Sequence, residues 1–218
     1  MKDYREKEVK YLMIAISLLA INFSVINNPS IDELNYFTIA EGTIASVVLS
    51  LFGFIMDSII TTSIKNKLMS LFVFPMEGEQ VFTRIKENKI KDNRVSADAI
   101  KSHCNEILSN LPNDEKERKK YENAHWYKMY QNNAENPSIM QTQRDYLACR
   151  DMYIFVFMFI ICYIVASVFL HYLVWSCSFF VALLILLILL FFACRNKMRR
   201  FVDTVIVVDT VRGESNGT

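Results

Sequence analysis

Long apolar runs alternate with polar stretches along this chain of 218 residues. A helix that crosses a membrane needs about 20 mostly apolar residues, because each residue adds about 1.5 Å along the helix axis. Four runs meet or approach that length, namely Tyr11–Ile26, Ile44–Ile64, Tyr153–Trp175 and Phe179–Cys194. No small-x-small cleavage site follows the first run, so we interpret it as a retained helix and not as a signal peptide. The pattern predicts an all-α membrane protein with four transmembrane helices, arranged as two plus two.

The basic residues mark one side of the membrane. None of the 24 Lys and Arg residues lies in Asn27–Thr43 or Trp175–Ser178, the two links that join the spans of each pair. Cytoplasmic loops retain positive charge because translocation of Lys and Arg is disfavoured. We therefore expect both links outside and both termini in the cytosol. The expected segments are a cytosolic N-terminus (1–10), transmembrane helices 1 and 2 (11–64), a helical cytosolic domain (65–151), transmembrane helices 3 and 4 (152–195) and a cytosolic tail (196–218).

The insert between the two pairs of spans is polar and is predicted to be helical. Residues 65–151 carry 15 Lys and Arg against 13 Asp and Glu. Ser96 is a candidate N-cap for a helix over 97–110, and Asn113 or Asp114 starts a charged helix that runs to about Asn133. Asn136-Pro137-Ser138 is the clearest break, since proline stops one helix and suits the first turn of another.

No helix breaker follows Ser138 until after Trp175, so we expect one continuous helix from the insert into the third span. Beyond the fourth span, Arg195–Arg200 is a stop-transfer cluster of basic residues. The β-branched stretch Phe201–Val211 is compatible with a short strand or with a continuation of the helix. Gly213–Thr218 is expected to be disordered.

The second span carries a stripe of small and polar residues. Thr43, Ser46, Ser50, Gly53, Asp57 and Thr61 follow one another at intervals of 3, 4, 3, 4 and 4, which places them on one face of a helix. Asp57 is the only Asp, Glu, Lys or Arg inside the four runs. A carboxylate within the bilayer costs a few kcal/mol unless it faces water or a partner. The predicted pore-lining residues are Ser46, Ser50, Gly53, Asp57 and Thr61.

Two interpretations of this stripe remain open. In the first, several copies of the helix surround an aqueous path, and a ring of Asp57 carboxylates attracts cations. In the second, the small residues let helices pack closely, and Asp57 is protonated or hydrogen-bonded to a neighbouring hydroxyl. A single stripe cannot enclose a path, so the pore interpretation requires a homo-oligomer.

The charged helix of the insert is a candidate ligand site. Basic residues beside aromatic ones suit a nucleotide or a single-stranded nucleic acid, because charge neutralisation then combines with base stacking. The predicted ligand-binding residues are Lys116, Arg118, Lys119, Lys120, His125 and Trp126. The alternative is a solvated helix, in which Asp114–Arg118 and Glu115–Lys119 form i,i+4 pairs while Trp126, Met129 and Tyr130 pack against a neighbouring helix.

Two Arg-Asp dipeptides lie at the cytosolic end of the third span. Arg144-Asp145 and Arg150-Asp151 could form ion pairs between subunits around an opening, and we predict them as a gating collar. The alternative is interfacial anchoring, in which Arg150 meets lipid headgroups.

Composition argues against catalysis. There is no P-loop, GxSxG or HExxH motif, the three histidines are far apart, and the five cysteines form no CxxC pair. We therefore expect no enzymatic activity, no metal site and no cofactor. The hydrophobic fraction of 52% is high for a soluble domain, whereas the net charge of +1 gives no general attraction to polyanions.

The paired spans, together with the insert that carries His125-Trp126-Tyr127 and the two Arg-Asp dipeptides, resemble small bacterial membrane effectors of anti-phage systems. The chain looks most like the channel subunit of Hailong-type defence systems. That resemblance implies a homotetrameric ion channel that depolarises the bacterial inner membrane. It also implies gating by nucleic-acid oligomers, made by a partner nucleotidyltransferase and bound in a basic cytosolic chamber. The near-neutral insert departs from that expectation.

We therefore carry two hypotheses. In the first, the chain is a homo-oligomeric ion-conducting pore in the plasma membrane, gated through its cytosolic domain. In the second, it is a non-conducting membrane anchor whose cytosolic helical domain recruits a protein partner.

Overall fold

The computed structural model describes residues 59–69, 75–90, 92–169, 175 and 177–216. Apart from one isolated β-bridge between Asp92 and Val95, these residues form helices, turns and loops. The predicted all-helical character is therefore confirmed for the described residues. The first span and most of the second lie outside them, as do Ser46, Ser50, Gly53 and Asp57.

Seven α-helices follow one another in the described residues. They are α1 (Thr62–Met69), α2 (Val81–Lys86), α3 (Ala97–His103), α4 (Asn105–Ser109), α5 (Glu115–Asn133), α6 (Pro137–Ile164) and α7 (Cys177–Asn216). A 3₁₀ turn, Glu77–Glu79, precedes α2, and a π-helical turn, Val165–Phe169, extends α6. Two helices, Pro137–Ile164 and the stretch Cys177–Ser215 of α7, are long and apolar enough to cross a membrane. The first includes the beginning of the third predicted span, Tyr153–Trp175, and the second contains the fourth predicted span, Phe179–Cys194.

Several predicted helix ends are confirmed. The Ser96 side chain accepts a hydrogen bond from the backbone N–H of Ala99, and the Asp114 carboxylate accepts one from Glu117. Helix α6 begins at Pro137, as the Asn-Pro-Ser break indicates. The segment predicted as one helix over 97–110 is instead divided at Cys104 into α3 and α4.

The C-terminal prediction is corrected in one respect. Residues 201–211 continue the helix, which rules out the strand, and α7 extends to Asn216, into the stretch Gly213–Thr218 that was expected to be disordered. The last turns are held by contacts with other helices. The Asp209 carboxylate lies 2.9 Å from His103 Nε2 and accepts a 2.6 Å hydrogen bond from the Asn133 amide. A Cβ atom at Gly213 would lie 2.7 Å from the His103 ring, so the backbone approaches closely there.

The chain divides into two compact units. One, which we call the apolar unit, is Met1–Met69 with Arg150–Phe191, and the other, the polar unit, is Ser70–Cys149 with Phe192–Thr218. In the apolar unit, α6 packs against α7 around Phe155, Val156, Ile160, Tyr163, Phe179 and Leu183. The Tyr163 ring lies edge-on to Phe179, with 5.2 Å between ring centroids.

One face of α7 in the apolar unit is exposed and apolar. It consists of Val181, Leu184, Ile185, Ile188 and Leu189, which recur every three or four residues. Leu189 is 61% exposed. A continuous apolar stripe of this kind is typical of a helix that faces lipid or another helix.

The polar unit has a core of its own. Short helix α2 buries Val81, Phe82 and Ile85 against the last half of α7, which contributes Val202, Ile206 and Val207. Helix α3 adds Ile100, and Cys104 completes the core between α3 and α4. Burial raises the pKa of the Cys104 thiol to about 12, so Cys104 is a neutral packing residue at physiological pH.

Candidate functional site

The N-terminus of α2 is capped by a carboxylate from α5. Glu122 is fully buried, and its Oε2 accepts hydrogen bonds from the backbone N–H groups of Phe82 (2.7 Å) and Thr83 (3.1 Å). Its Oε1 accepts from the Thr83 hydroxyl. The first N–H groups of a helix have no partner within the helix and carry partial positive charge, so a carboxylate there is favourable. Glu122 thereby fixes α2 to α5.

A second buried carboxylate gathers three arginines. Glu77 is 1% exposed, and its oxygens accept from Arg195 at 2.8 Å, from Arg84 at 3.1 Å and from Arg199 at 3.3 Å. A buried carboxylate is tolerated only when it is paired and hydrogen-bonded. Glu77 therefore holds Arg195 and Arg199, two residues of the basic cluster Arg195–Arg200 that follows the fourth apolar run.

Arg84 connects this group to a second acid. Its Nη2 donates to both oxygens of Asp203, at 2.9 and 2.7 Å, while its Nη1 donates to Glu77, so one guanidinium joins the two acids through charge-assisted hydrogen bonds. Burial raises the pKa of the Asp203 carboxyl, although the adjacent Arg84 acts in the opposite direction. The network of Glu77, Arg84, Asp203, Arg195 and Arg199 thus contains three cations and two anions.

The edge of this network opens into a polar cleft of about 910 Å³, which we call the arginine cleft. It lies between the start of α6, the middle of α7 and the loop before α3. Its lining is Asp92, Asn93, Arg94, Pro137, Ser138, Gln141, Thr142, Asn196, Arg199, Arg200, Asp203 and Thr204. A second cleft of about 770 Å³ shares Arg94 and Ser138 with it and adds Arg212 near the end of α7.

The arginines of the cleft differ in how firmly they are held. Arg94 donates to both oxygens of Asp92, at 2.9 and 2.8 Å. Arg199 contacts Glu77, but its side chain is 54% exposed. Arg200 is exposed, and within the part of the chain that the structure describes its guanidinium makes no hydrogen bond or ion pair. The cleft can therefore offer guanidinium donors, with hydroxyl and amide groups beside them, to an anionic ligand.

The predicted ligand residues on α5 are divided between two environments. Lys116 and Lys120 are exposed, and Lys119 forms the expected ion pair with Glu115, at 2.6 Å. Arg118 is half-buried. The His125 ring lies 4.0 Å from the Tyr121 ring, centroid to centroid, and its Nδ1–H donates a hydrogen bond to the Tyr121 carbonyl, 2.9 Å away.

Trp126 belongs to the packing between α5 and α7. Its ring stacks on Tyr130, meets Phe201 edge-on at 5.6 Å, and its indole N–H points to the Val202 carbonyl at 3.4 Å. This arrangement matches the alternative in which Trp126 and Tyr130 pack against a neighbouring helix. Among the aromatic residues of α5, Tyr127 is the exposed one. The sequence pattern did not set Tyr127 apart from the other aromatic residues of this helix.

Three of the four collar residues, Asp145, Arg150 and Asp151, have partners within their own chain. In the polar unit, Asp145 accepts from Lys197 at 3.0 Å and from Gln141 at 3.1 Å, while Arg144 is half-buried. In the apolar unit, Arg150 is 7% exposed and donates to Asp151, which also lies 3.6 Å from Lys65. Contacts between subunits remain a prediction.

Of the predicted pore-lining residues, Thr61 is described. The helical backbone is interrupted at Ile60 and Thr61, and the Thr61 carbonyl accepts from the N–H of Lys65 at the start of α1. Thr61 thus lies between helical segments and not within a continuous second span.

Sequence reasoning missed the arginine cleft and the two buried carboxylates. The available signal was the excess of basic residues in Arg195–Arg200, which a stop-transfer function alone explains. Among the described residues, no group of three or more His, Cys, Asp and Glu side chains is placed to hold a metal ion.

The fold and the site define a class: a helical protein with two helices apolar enough to cross a membrane and a polar helical unit that bears an arginine-lined cleft. No family model matches the sequence, and no curated protein or solved structure matches it.

Proposed function

We propose that this chain forms a homo-oligomeric ion-conducting pore that is gated through its polar helical unit. We further propose that it acts as a defence effector that depolarises the bacterial inner membrane. The pore would be lined by the stripe of the second span, including Asp57, and four copies would enclose it. Both termini and the polar unit would lie in the cytosol.

The observation that carries this proposal is the dual role of α7. The same helix supplies Phe179 and Leu183 to the core of the apolar unit and Val202 and Ile206 to the core of the polar unit. A ligand that repacks the polar unit would therefore act on a helix that also takes part in the membrane core. Gating requires such a shared element, because a ligand shifts an equilibrium only through contacts that differ between two states.

The exposed apolar stripe of α7 supports a membrane location in turn. Leu189, Ile185 and Ile188 are more than half exposed, and a soluble protein would bury such a surface. In a bilayer the same surface meets lipid or a second copy of the chain.

The arginine cleft supports regulation by an anionic ligand, for which a nucleotide or a short oligonucleotide made by a partner nucleotidyltransferase is our candidate. Guanidinium groups bind phosphate in a two-point geometry. Among the described residues the Arg200 guanidinium forms no ion pair or hydrogen bond that a ligand would have to break. The resident pairs, Arg94 with Asp92 and Arg199 with Glu77, would hold neighbouring guanidinium groups in place around it.

Ion flux tests the proposal. The purified full-length protein would be reconstituted into liposomes with a potassium gradient, and a potential-sensitive dye would report the flux. We expect wild-type protein to dissipate the gradient faster than protein-free liposomes, and a mixed-sequence oligonucleotide to change that rate. A rate equal to that of protein-free liposomes, with and without oligonucleotide, would contradict the pore.

The cleft makes a separate prediction. Arg200→Ala should weaken binding of a fluorescent single-stranded oligonucleotide by about tenfold or more, because a charge-assisted hydrogen bond contributes about 1.5–3 kcal/mol. Fluorescence anisotropy at fixed salt measures the affinity. The matched control is the Lys116→Ala/Lys120→Ala variant, which removes two exposed cations from α5. If the control loses more affinity than Arg200→Ala, the ligand binds α5 and not the cleft.

One observation favours the second candidate, a non-conducting membrane anchor. The polar unit has its own core and presents Tyr127, 50% exposed, on the outer face of α5, as a docking domain would. A silent liposome assay together with a stable protein partner that is lost in Tyr127→Ala would support the anchor.

A further inference from the structure

Two cysteines of the polar unit lie side by side on different helices. Cys149 belongs to α6 and Cys194 to α7, and contacts about one turn away, Asp145 with Lys197 and Tyr146 with Phe201, place the two residues opposite each other. Cys194 is fully buried, while Cys149 is half-buried. Neither the proposed pore nor the arginine cleft uses these two nucleophilic groups.

Neighbouring contacts hold the two helices in this register. One turn before Cys149, Asp145 forms a 3.0 Å ion pair with Lys197, which follows Cys194 by three residues. Tyr146 stacks on Phe201, with 6.3 Å between ring centroids. Residue numbers thus rise along α6 while they fall along α7, and the two thiols meet as part of an antiparallel pair of helices.

The surroundings distinguish the two thiols chemically. Hydrogen bonding with Cys194 lowers the pKa of the Cys149 thiol, and the Lys197 ammonium acts in the same direction, against the effect of burial. The thiolate is the reactive form of cysteine, so Cys149 is suited to attack and Cys194 to respond. Cys149 precedes Arg150 and Asp151, and so it lies outside the apolar stretch of α6.

We propose that Cys149 and Cys194 are a redox site, a dithiol that a hydroperoxide converts into a disulfide between α6 and α7. This inference is independent of the proposed conduction.

The reaction proceeds in two balanced steps. The Cys149 thiolate attacks the peroxide, an S–O bond forms as the O–O bond breaks, and hydroxide (or alkoxide) leaves. Cys194 then attacks the Cys149 sulfur, the S–S bond forms as the S–O bond breaks, and water leaves. Two thiols and one hydroperoxide therefore give one disulfide, one alcohol (water, for hydrogen peroxide) and one water. A thiol reductant reverses the change.

Whether the disulfide forms depends on the redox conditions of the compartment. On the cytosolic side, thiols stay reduced until an oxidant is present, so the disulfide would form under peroxide stress. Once formed, it would join α6 to α7 covalently at the level of Asp145 and Lys197, and would prevent these two helices from separating there.

Intact-mass spectrometry of the full-length protein tests the proposal. After brief treatment with hydrogen peroxide, we expect the wild type to lose two hydrogens and to regain them with a thiol reductant. Cys149→Ser should show no change, because the attacking thiol is gone. Cys194→Ser should instead gain oxygen, because the oxidised Cys149 has no thiol to resolve it. Cys104→Ser should behave like the wild type, since the Cys104 thiol is neutral and buried.

Peptide mapping assigns the bond. Trypsin cleaves after Arg144, Arg150 and Arg195, which leaves Cys162, Cys177 and Cys194 in one peptide. The map is therefore made in a Cys162→Ser/Cys177→Ser background, where a link between the peptides 145–150 and 151–195 identifies the Cys149–Cys194 bond. A wild-type mass that does not change, a disulfide that persists in Cys149→Ser, or a link to a second copy of the chain would overturn the proposal.

Discussion

If the proposed pore is lined by Asp57, replacing Asp57 by asparagine is expected to remove most of its cation preference. A ring of carboxylates at the constriction attracts cations, whereas the amide of asparagine has nearly the same shape and no charge. We expect the permeability ratio of potassium to chloride to fall roughly tenfold, which corresponds to about 1.4 kcal/mol. The reversal potential of the purified variant under a potassium chloride gradient measures this ratio.

Ser58→Ala is the matched control for that substitution. Ser58 is the next residue in sequence and does not belong to the stripe, so its replacement should leave the reversal potential unchanged. An Asp57→Asn reversal potential equal to that of the wild type would mean that Asp57 serves helix packing and does not line the conduction path.

Replacing Glu122 by alanine should cause the largest loss of stability in the polar unit. The change removes three hydrogen bonds and leaves the backbone N–H of Phe82, which is buried, and that of Thr83, which is half-buried, without an acceptor. Loss of a cap and of buried acceptors costs about 3 kcal/mol, which corresponds to a melting temperature lower by roughly 6–12 °C. Circular dichroism of the full-length protein in detergent would follow the melting.

The matched control is Glu115→Ala on the same helix. The Glu115 side chain is 70% exposed, and its ion pair with Lys119 is solvated, so the melting temperature should change little. Equal losses in the two variants would show that Glu122 does not cap α2.

Helix boundaries could be predicted where a local signal decides them. Ser96 and Asp114 are N-caps because their side chains reach N–H groups three residues on, and Pro137 suits the first turn of α6. These effects depend on residues within one turn, so the sequence contains the information that is needed.

The end of α7 shows why other features could not be predicted. Gly213 and the polar residues beside it favour disorder locally. The helix continues because Asp209 meets His103 and Asn133, and because Arg212 donates to the Asn132 carbonyl at 2.8 Å. These partners lie 76 to 106 positions away in sequence, and periodicity gives no information on such contacts.

The same limit applies to the candidate site. Trp126 beside basic residues is compatible with base stacking and with core packing, and only its contact with Phe201 separates the two. Arg199 of the arginine cleft is held by Glu77, which lies 122 positions away in sequence. The sequence shows the charges, but the fold decides which of them are paired and which, such as Arg200, are exposed.

A planar-bilayer recording of the purified full-length protein distinguishes a pore from a membrane anchor, with the native mass measured on the same preparation. We expect discrete openings that favour cations, from a particle that contains several copies of the chain. A silent bilayer with and without oligonucleotide, from a particle with a single copy, would contradict the pore and leave the membrane anchor as the function to pursue.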